Sequence, residues 1–241
     1  MKKILIALML LPMAAWAQVD STSARIVDRY LDILNIDALP QDSMLVLTTT
    51  ITSTGSNDTV VMQRWYQSLH MFRVEVKGST GLQTALCGNG KNRYRGYLEG
   101  MGWGDMTSTA FYNHLIAFDF RGPLHGWRAK NLIMSYAGKV NVEQREEKLD
   151  AVRVEVEGSY TRLYLFEPSG LLGVIVELDE ALDSSRVTRE SHIEWKCEHE
   201  YGMIGETLLP TLESFMRDNR LTILRTEMHF EPRNDKLFNR D

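Results

Sequence analysis

The sequence predicts a mainly β chain of the α+β class, in which one large antiparallel sheet is accompanied by two helices. Three observations carry that prediction. Between about residue 43 and residue 231, apolar and polar residues alternate with period two in segment after segment, which sends successive side chains to opposite faces of a strand. The segments follow one another with only short turn-forming stretches between them, such as Thr54-Gly55-Ser56-Asn57-Asp58 and Gly88-Asn89-Gly90-Lys91, as in an antiparallel meander. Helical spacing occurs in two places, once before the meander and once as an interruption of it.

The chain starts with MKKILIALMLLPMAAWAQ, where Lys2 and Lys3 precede an apolar run from Ile4 to Leu11 and the small-x-small triplet Ala15-Trp16-Ala17. This is the pattern of a cleaved secretory signal, residues 1–17, with Gln18 as the first mature residue. The apolar run falls well short of the ~20 residues that a spanning helix needs. No cysteine follows the cleavage site to carry a lipid. The expectation is therefore a soluble exported protein of one domain, residues 18–241.

The first helix is read in STSARIVDRYLDIL, with Ser21, Thr22 or Ser23 as the N-cap. Ile26, Val27, Tyr30, Ile33 and Leu34 fall on one face, opposite Asp28, Arg29 and Asp32. After Pro40 the period changes to two. MLVLTTTIT, TVVMQRWY, HMFRVEVKG, LQTALC and NRYRGYL are read as strands, and Asn89-Gly90 is a strong hairpin dipeptide. In the third of these Phe72, Val74 and Val76 point one way while Arg73, Glu75 and Lys77 point the other. The glycine-rich GMGWG, 100–104, reads as a flexible hairpin tip, since it lacks the spacing of a phosphate-binding turn.

The second helix is read in MTSTAFYNHLIAFDF, where Phe111, Leu115 and Phe118 share a face, and RGPLHGW ends it. Strands then resume in LIMSYAGKV, AVRVEVEG, TRLYLFE, LLGVIVEL, SHIEWKCEHEY, LLPTLESFMRD and LTILRTEMHFE, with the charged run EQREEKLD as a solvated hairpin end. These twelve segments make one large sheet of roughly ten strands or more. A sheet of that size must curl or close.

Composition narrows the function. The formal charge of -5 becomes -7 once Lys2 and Lys3 are removed, which argues against a nucleic-acid surface. The six histidines form no HExxH pattern, and Cys197 with His199 supplies two ligands where a zinc site needs three or four. There is no GxSxG elbow and no carboxylate pair in a tuning environment, so the expectation is a non-enzyme without metal or cofactor. Cys87 and Cys197 sit in apolar-alternating runs that suit small buried thiols, although a disulfide closing a long loop would suit the compartment.

Signal peptide, amphipathic helix, RWYQSLHMFRVEV, CGNGKNRYRGY, a helix near Phe111, RLYLFEPSGLLGVIVE, HEYGMIGETLLPTLESFMRDNRLTILRT and a terminal FEPRNDKLF occur in that order. In this order the chain resembles the outer-membrane lipoprotein carrier family, which includes the periplasmic carrier, its membrane-anchored acceptor, and related lipid-binding and sensor domains. The resemblance spans nearly the whole mature chain. It implies an incomplete antiparallel β-barrel around an apolar cavity, with helices plugging the concave side, and the acyl chains of a lipoprotein or another lipid as ligand. It further implies a monomeric periplasmic carrier that takes its load from an inner-membrane donor toward an outer-membrane acceptor. The alternative use of the fold is an envelope sensor or partner-binding module.

On that resemblance Trp65, Phe72, Val74, Phe111, Leu115 and Phe118, with Leu45 and Leu47 on the neighbouring strand, line the cavity, and the two helices are its lid. One departure stands out. The carriers hold an Arg-Pro pair between the Trp and the Phe, an arginine tied to ligand handling and lid closure. Here Ser68-Leu69 occupies that place, while Arg64 and Arg73 are shifted from it.

Overall fold

The computed structural model describes residues 20–40, 42–68, 71–89, 94–107, 120–122, 124–128, 130, 132–142, 145–156, 160–178, 193–217 and 220–239. The first helix, α1 (Ser21–Leu34), buries Val27, Tyr30 and Leu34, the stripe expected from the spacing. Its cap is Asp20, one residue before the expected hydroxyls: the carboxylate accepts from the Thr22 and Ser23 backbone amides, both at 2.9 Å. Ser23, one of the expected caps, is instead inside the first turn and donates its own hydroxyl to Asp20 at 2.6 Å. The helix stops at Asn35, whose φ of 50° is the left-handed conformation that commonly ends helices.

Thirteen strands follow among the described residues: β1 (Ser43–Ser53), β2 (Val60–Ser68), β3 (Met71–Gly78), β4 (Gly81–Asn89), β5 (Tyr94–Leu98), β6 (Gly102–Asp105), β7 (Ile133–Val140), β8 (Leu149–Val156), β9 (Tyr160–Phe166), β10 (Leu172–Leu178), β11 (Ile193–Ile204), β12 (Thr207–Arg217) and β13 (Arg220–Pro232). They form one sheet in the order β6-β5-β4-β3-β2-β1-β13-β12-β11-β10-β9-β8-β7. The chain thus meanders from β1 out to the β6 edge, passes to the opposite edge at β7, and meanders back until β13 pairs antiparallel with β1. Since β6 and β7 do not pair, the sheet is an incomplete barrel.

The strand missing from the sequence reading is β6. Its GWGD segment forms the four-residue edge strand of a hairpin with β5, so GMGWG is a turn plus a strand rather than a flexible tip. What fixes it is Trp103, whose ring lies 5.4 Å from the Arg73 guanidinium and 5.8 Å from that of Arg95. Cationic cover on the partner strands is invisible to a local reading.

Curvature follows from who touches whom. Leu45, Leu47, Met62, Tyr66, Phe72, Val74 and Leu86 from β1–β4 share one core with Val152, Val154, Tyr164, Phe166 and Ile175 from β8–β10, and with Val27, Tyr30 and Leu34 of α1. Side chains from strands far apart in the sheet meet around one helix only if the sheet curls around it. On the other face, Met44, Val46, Cys87 and Phe238 form a separate cluster with Trp65, Met71 and Trp103. Here the C-terminal 3-10 turn, Asp235–Asn239, is held down by Arg73 donating to the Leu237 carbonyl at 3.2 Å and by the Cys87 thiol donating to the Phe238 carbonyl at 3.0 Å. Cys87 is a free, buried thiol, and burial pushes its pKa up.

Candidate apolar site on the concave face

The plug is α1, and it is pinned along its middle and at its C-terminal end. Near its middle, Asp28 accepts from Arg128 at 2.7 and 3.0 Å and from the Trp127 indole at 3.1 Å, while the Arg128 guanidinium stacks 4.0 Å from the Trp127 ring centre. The hydrogen bond from Arg128 holds the Asp28 carboxyl below the usual carboxylate range. Arg29 donates to the carbonyls of Pro168 and Ser169, in the turn between β9 and β10. At the C-terminal end, Thr207 donates to the Asn35 carbonyl at 3.0 Å and Asn35 donates to that of Glu206 at 3.2 Å. Tyr30 faces inward, edge-on to Phe166 at 5.6 Å, and burial pushes its hydroxyl up to about 12.

Period-two alternation decides which side chains form the concave wall. Leu45 and Leu47 of β1 and Phe72 and Val74 of β3 are all on it and almost fully buried. Phe72 stacks on Tyr66 at 6.1 Å, and Tyr66 lies 4.4 Å from Phe120. Trp65 is not part of this wall. It neighbours Tyr66 on β2 and therefore points to the opposite face, toward Met44, Val46 and Phe238. The aromatic pair flanking the hairpin thus serves both faces of the sheet. Phe111, Leu115 and Phe118, and the second helix expected to carry them, lie outside the described residues.

The wall is unevenly covered. Around α1 Leu45, Leu47, Phe72, Val74, Tyr164 and Phe166 are buried, whereas on β11–β13 Leu209 is buried but Tyr201, Leu208, Phe215, Met228 and Phe230 are only half-buried, as are Ile51 and Val76 toward the ends of β1 and β3, although all pack against the same core. The concave face over β11–β13 is therefore an apolar surface in partial contact with water. Across it runs a feature that the sequence reading missed. Arg64 lies between Met62 and Tyr66 on the concave side of β2 and donates to Thr49 at 3.0 Å. Thr49 shares a 2.9 Å hydrogen bond with Thr226 opposite it on β13. Beyond them, Glu213 of β12 pairs in register with His199 of β11, the His199 Nε2 lying 3.4 Å from the carboxylate. Burial pushes Glu213 up, but the hydrogen bond and charge of His199, together with the charge of Arg64, outweigh it and hold the carboxyl below its ordinary range. The signal lay in the alternation: Arg64, Thr49 and Glu213 are polar residues in the apolar phase of their strands.

No family model matches the sequence, and no curated protein matches it. Solved structures do. A LolA superfamily protein from Nitrosomonas europaea superposes with a TM-score of 0.57 at 10% identity, over 91% of this chain and 98% of that one. The fold is that of this LolA superfamily structure. An outer membrane lipoprotein-sorting protein domain from Vibrio parahaemolyticus gives 0.55 at 10% identity, over 88% of this chain and 97% of its own. A DUF1329 family protein from Desulfovibrio piger gives 0.55 at 11% identity, over 90% and 96%. At such identities the shared property is the architecture: a large open sheet curled around a helix. No described helix is long and apolar enough to cross a membrane.

Proposed function

We propose that the chain, after loss of residues 1–17, is a periplasmic binding protein of one domain that holds the acyl chains of a lipoprotein or another lipid on its concave face, for delivery toward the outer membrane. The observation that carries this reading is the half-buried apolar surface of Tyr201, Leu208, Phe215, Met228 and Phe230 inside an open sheet. A monomeric binding protein leaves such a surface uncovered at a cost in water contact, and a flexible hydrocarbon fits it without needing polar chemistry. Leu45, Leu47, Phe72 and Val74 form the floor of this site, and Phe111, Leu115 and Phe118 its lid.

Magnitudes allow it. A 16-carbon chain buried at ~0.8 kcal/mol per methylene yields at most about 12 kcal/mol, before ordering costs and before the chain leaves its source membrane. Ser68-Leu69, standing where the carriers have Arg-Pro, favours binding over active handover between a donor and an acceptor. The test is native mass spectrometry of the protein purified from the envelope without detergent, with lipid extraction of the same sample. Co-purifying acyl lipid near one per chain supports the reading. A chain that carries none, and that binds no fluorescent fatty-acyl probe after delipidation, removes it.

A further inference from the structure

We infer that the polar row across the concave face, Arg64–Thr49–Thr226–Glu213–His199, is a head-group subsite that recognises a neutral acyl ester or amide, so that the site takes amphiphiles by both chain and head. This rests on the acyl-binding reading above and names the part of the ligand that reading leaves open. The row crosses five adjacent strands, β2, β1, β13, β12 and β11, on a diagonal: Thr49 and Thr226 are register partners, as are Glu213 and His199, while Arg64 is opposite Leu47 and Glu213 is opposite Leu224. On β1 and β13 the apolar pairs Leu47–Met228 and Ile51–Leu224 flank the central Thr49–Thr226 pair. A purely hydrocarbon site would gain nothing from interrupting its wall in this way.

The members are not fully occupied with one another. Thr49 and Thr226 satisfy each other, and Arg64 spends one terminal nitrogen on Thr49, but the buried Arg64 Nε has no hydrogen-bond partner. A guanidinium is a donor only, so what completes it is an acceptor oxygen. Charge chooses among acceptors. The row already holds one carboxylate, Glu213, within reach of the Arg64 charge, so a fatty-acid anion entering it adds like charge, and a cationic head meets Arg64 itself. A neutral carbonyl avoids both, and a hydroxyl or amide N–H next to it gives Glu213 something to accept. Ester and amide heads have that pairing of groups.

The experiment uses the whole mature protein, with monolauroylglycerol, laurate and the apolar fluorophore phenylnaphthylamine, all below their micelle-forming concentrations. Wild type is expected to bind monolauroylglycerol more tightly than laurate. Arg64→Met is expected to weaken monolauroylglycerol at least about tenfold, or about 1.4 kcal/mol, while leaving the fluorophore within about twofold. Glu213→Gln, which keeps the volume, and Arg64→Gln, which keeps a polar donor, are measured beside it, so that a poorly folding Arg64→Met leaves the comparison intact. Equal losses for both ligands in the folded variants, or none for either, overturn the subsite while the apolar site stands. Laurate binding more tightly than the glyceride overturns the neutral head. If wild type binds none of the three, the acyl-binding reading falls and this one with it.

Discussion

Phe72→Ala and Met228→Ala should fail in opposite ways, because the two side chains share a concave wall but not a degree of burial. Phe72 is 1% exposed, stacked on Tyr66 and enclosed with Val74 and Leu86. Truncating such a ring removes its transfer free energy and leaves a hole, a cost of about 3–5 kcal/mol. For a domain of this size each kcal/mol lowers Tm by about 2–4 °C, so the expected drop is roughly 6–20 °C. Met228 is half-buried beside the polar row, and its truncation should cost less than about 2 kcal/mol, since much of its surface already meets water. Its loss should appear in acyl-probe affinity instead. The assay is a thermal melt followed by circular dichroism, paired with a probe titration well below Tm. Phe72→Ala melting within about 3 °C of wild type while losing the probe would show that the ring borders a cavity, and would refute the division into a packed floor and an open half.

Other outcomes follow from the same geometry. Mature protein recovered from the periplasm should begin at Gln18, and an intact Met1 in that fraction would refute cleavage after Ala17. Asp20→Ala should lower stability by about 1 kcal/mol through loss of the α1 cap, with Asp20→Ser restoring most of it; equal melting of all three proteins would refute the cap. Asp28 is held below its ordinary value by Arg128, so its contribution is complete above the unfolded carboxylate value and is lost as pH falls through the folded one. Tm should therefore decline on acidification below about pH 4, less steeply in Asp28→Asn, and identical slopes would exclude the pair. Cys87 should resist thiol reagents in the native protein and react after unfolding, since it is buried and its thiol raised; fast native labelling would contradict the C-terminal cover.

Much of this fold was legible because it is local. Strict alternation from Phe72 to Lys77 marks a strand without any knowledge of its partners. The spacing of Val27, Tyr30 and Leu34 marks the buried stripe of α1 equally well. What failed was non-local. The strand at Gly102–Asp105 is too short and too rich in glycine to read alone, and its Trp103 is covered by Arg95 from the adjacent β5 and Arg73 from β3, three strands along the sheet. Trp65 was assigned to the ligand wall by family position, although its place beside Tyr66 in a strand already put the two on opposite faces. The polar row left only a faint local trace, single polar residues in the apolar phase of three strands, and it takes the strand order to bring them to one face.

An open sheet needs a reason not to close or to recruit another edge, and both ends supply one. The β6 edge has four residues, two of them glycine, and ends at the exposed Asp105, too little ladder to template a further strand. The β7 edge is longer but broken: its register with β8 shifts between Tyr136 and Gly138, where Gly138 has a φ of 92° that few other residues adopt. One of its amides is also taken, since the Tyr136 N–H donates to Asp20 at 2.6 Å, to the same carboxylate that caps α1. Helix and edge therefore share one residue. The cap that positions the plug also blunts the edge, so the seam between β6 and β7 stays open for the same reason that α1 stays in place, and a concave face needs such a seam if a long chain is to enter it from the side.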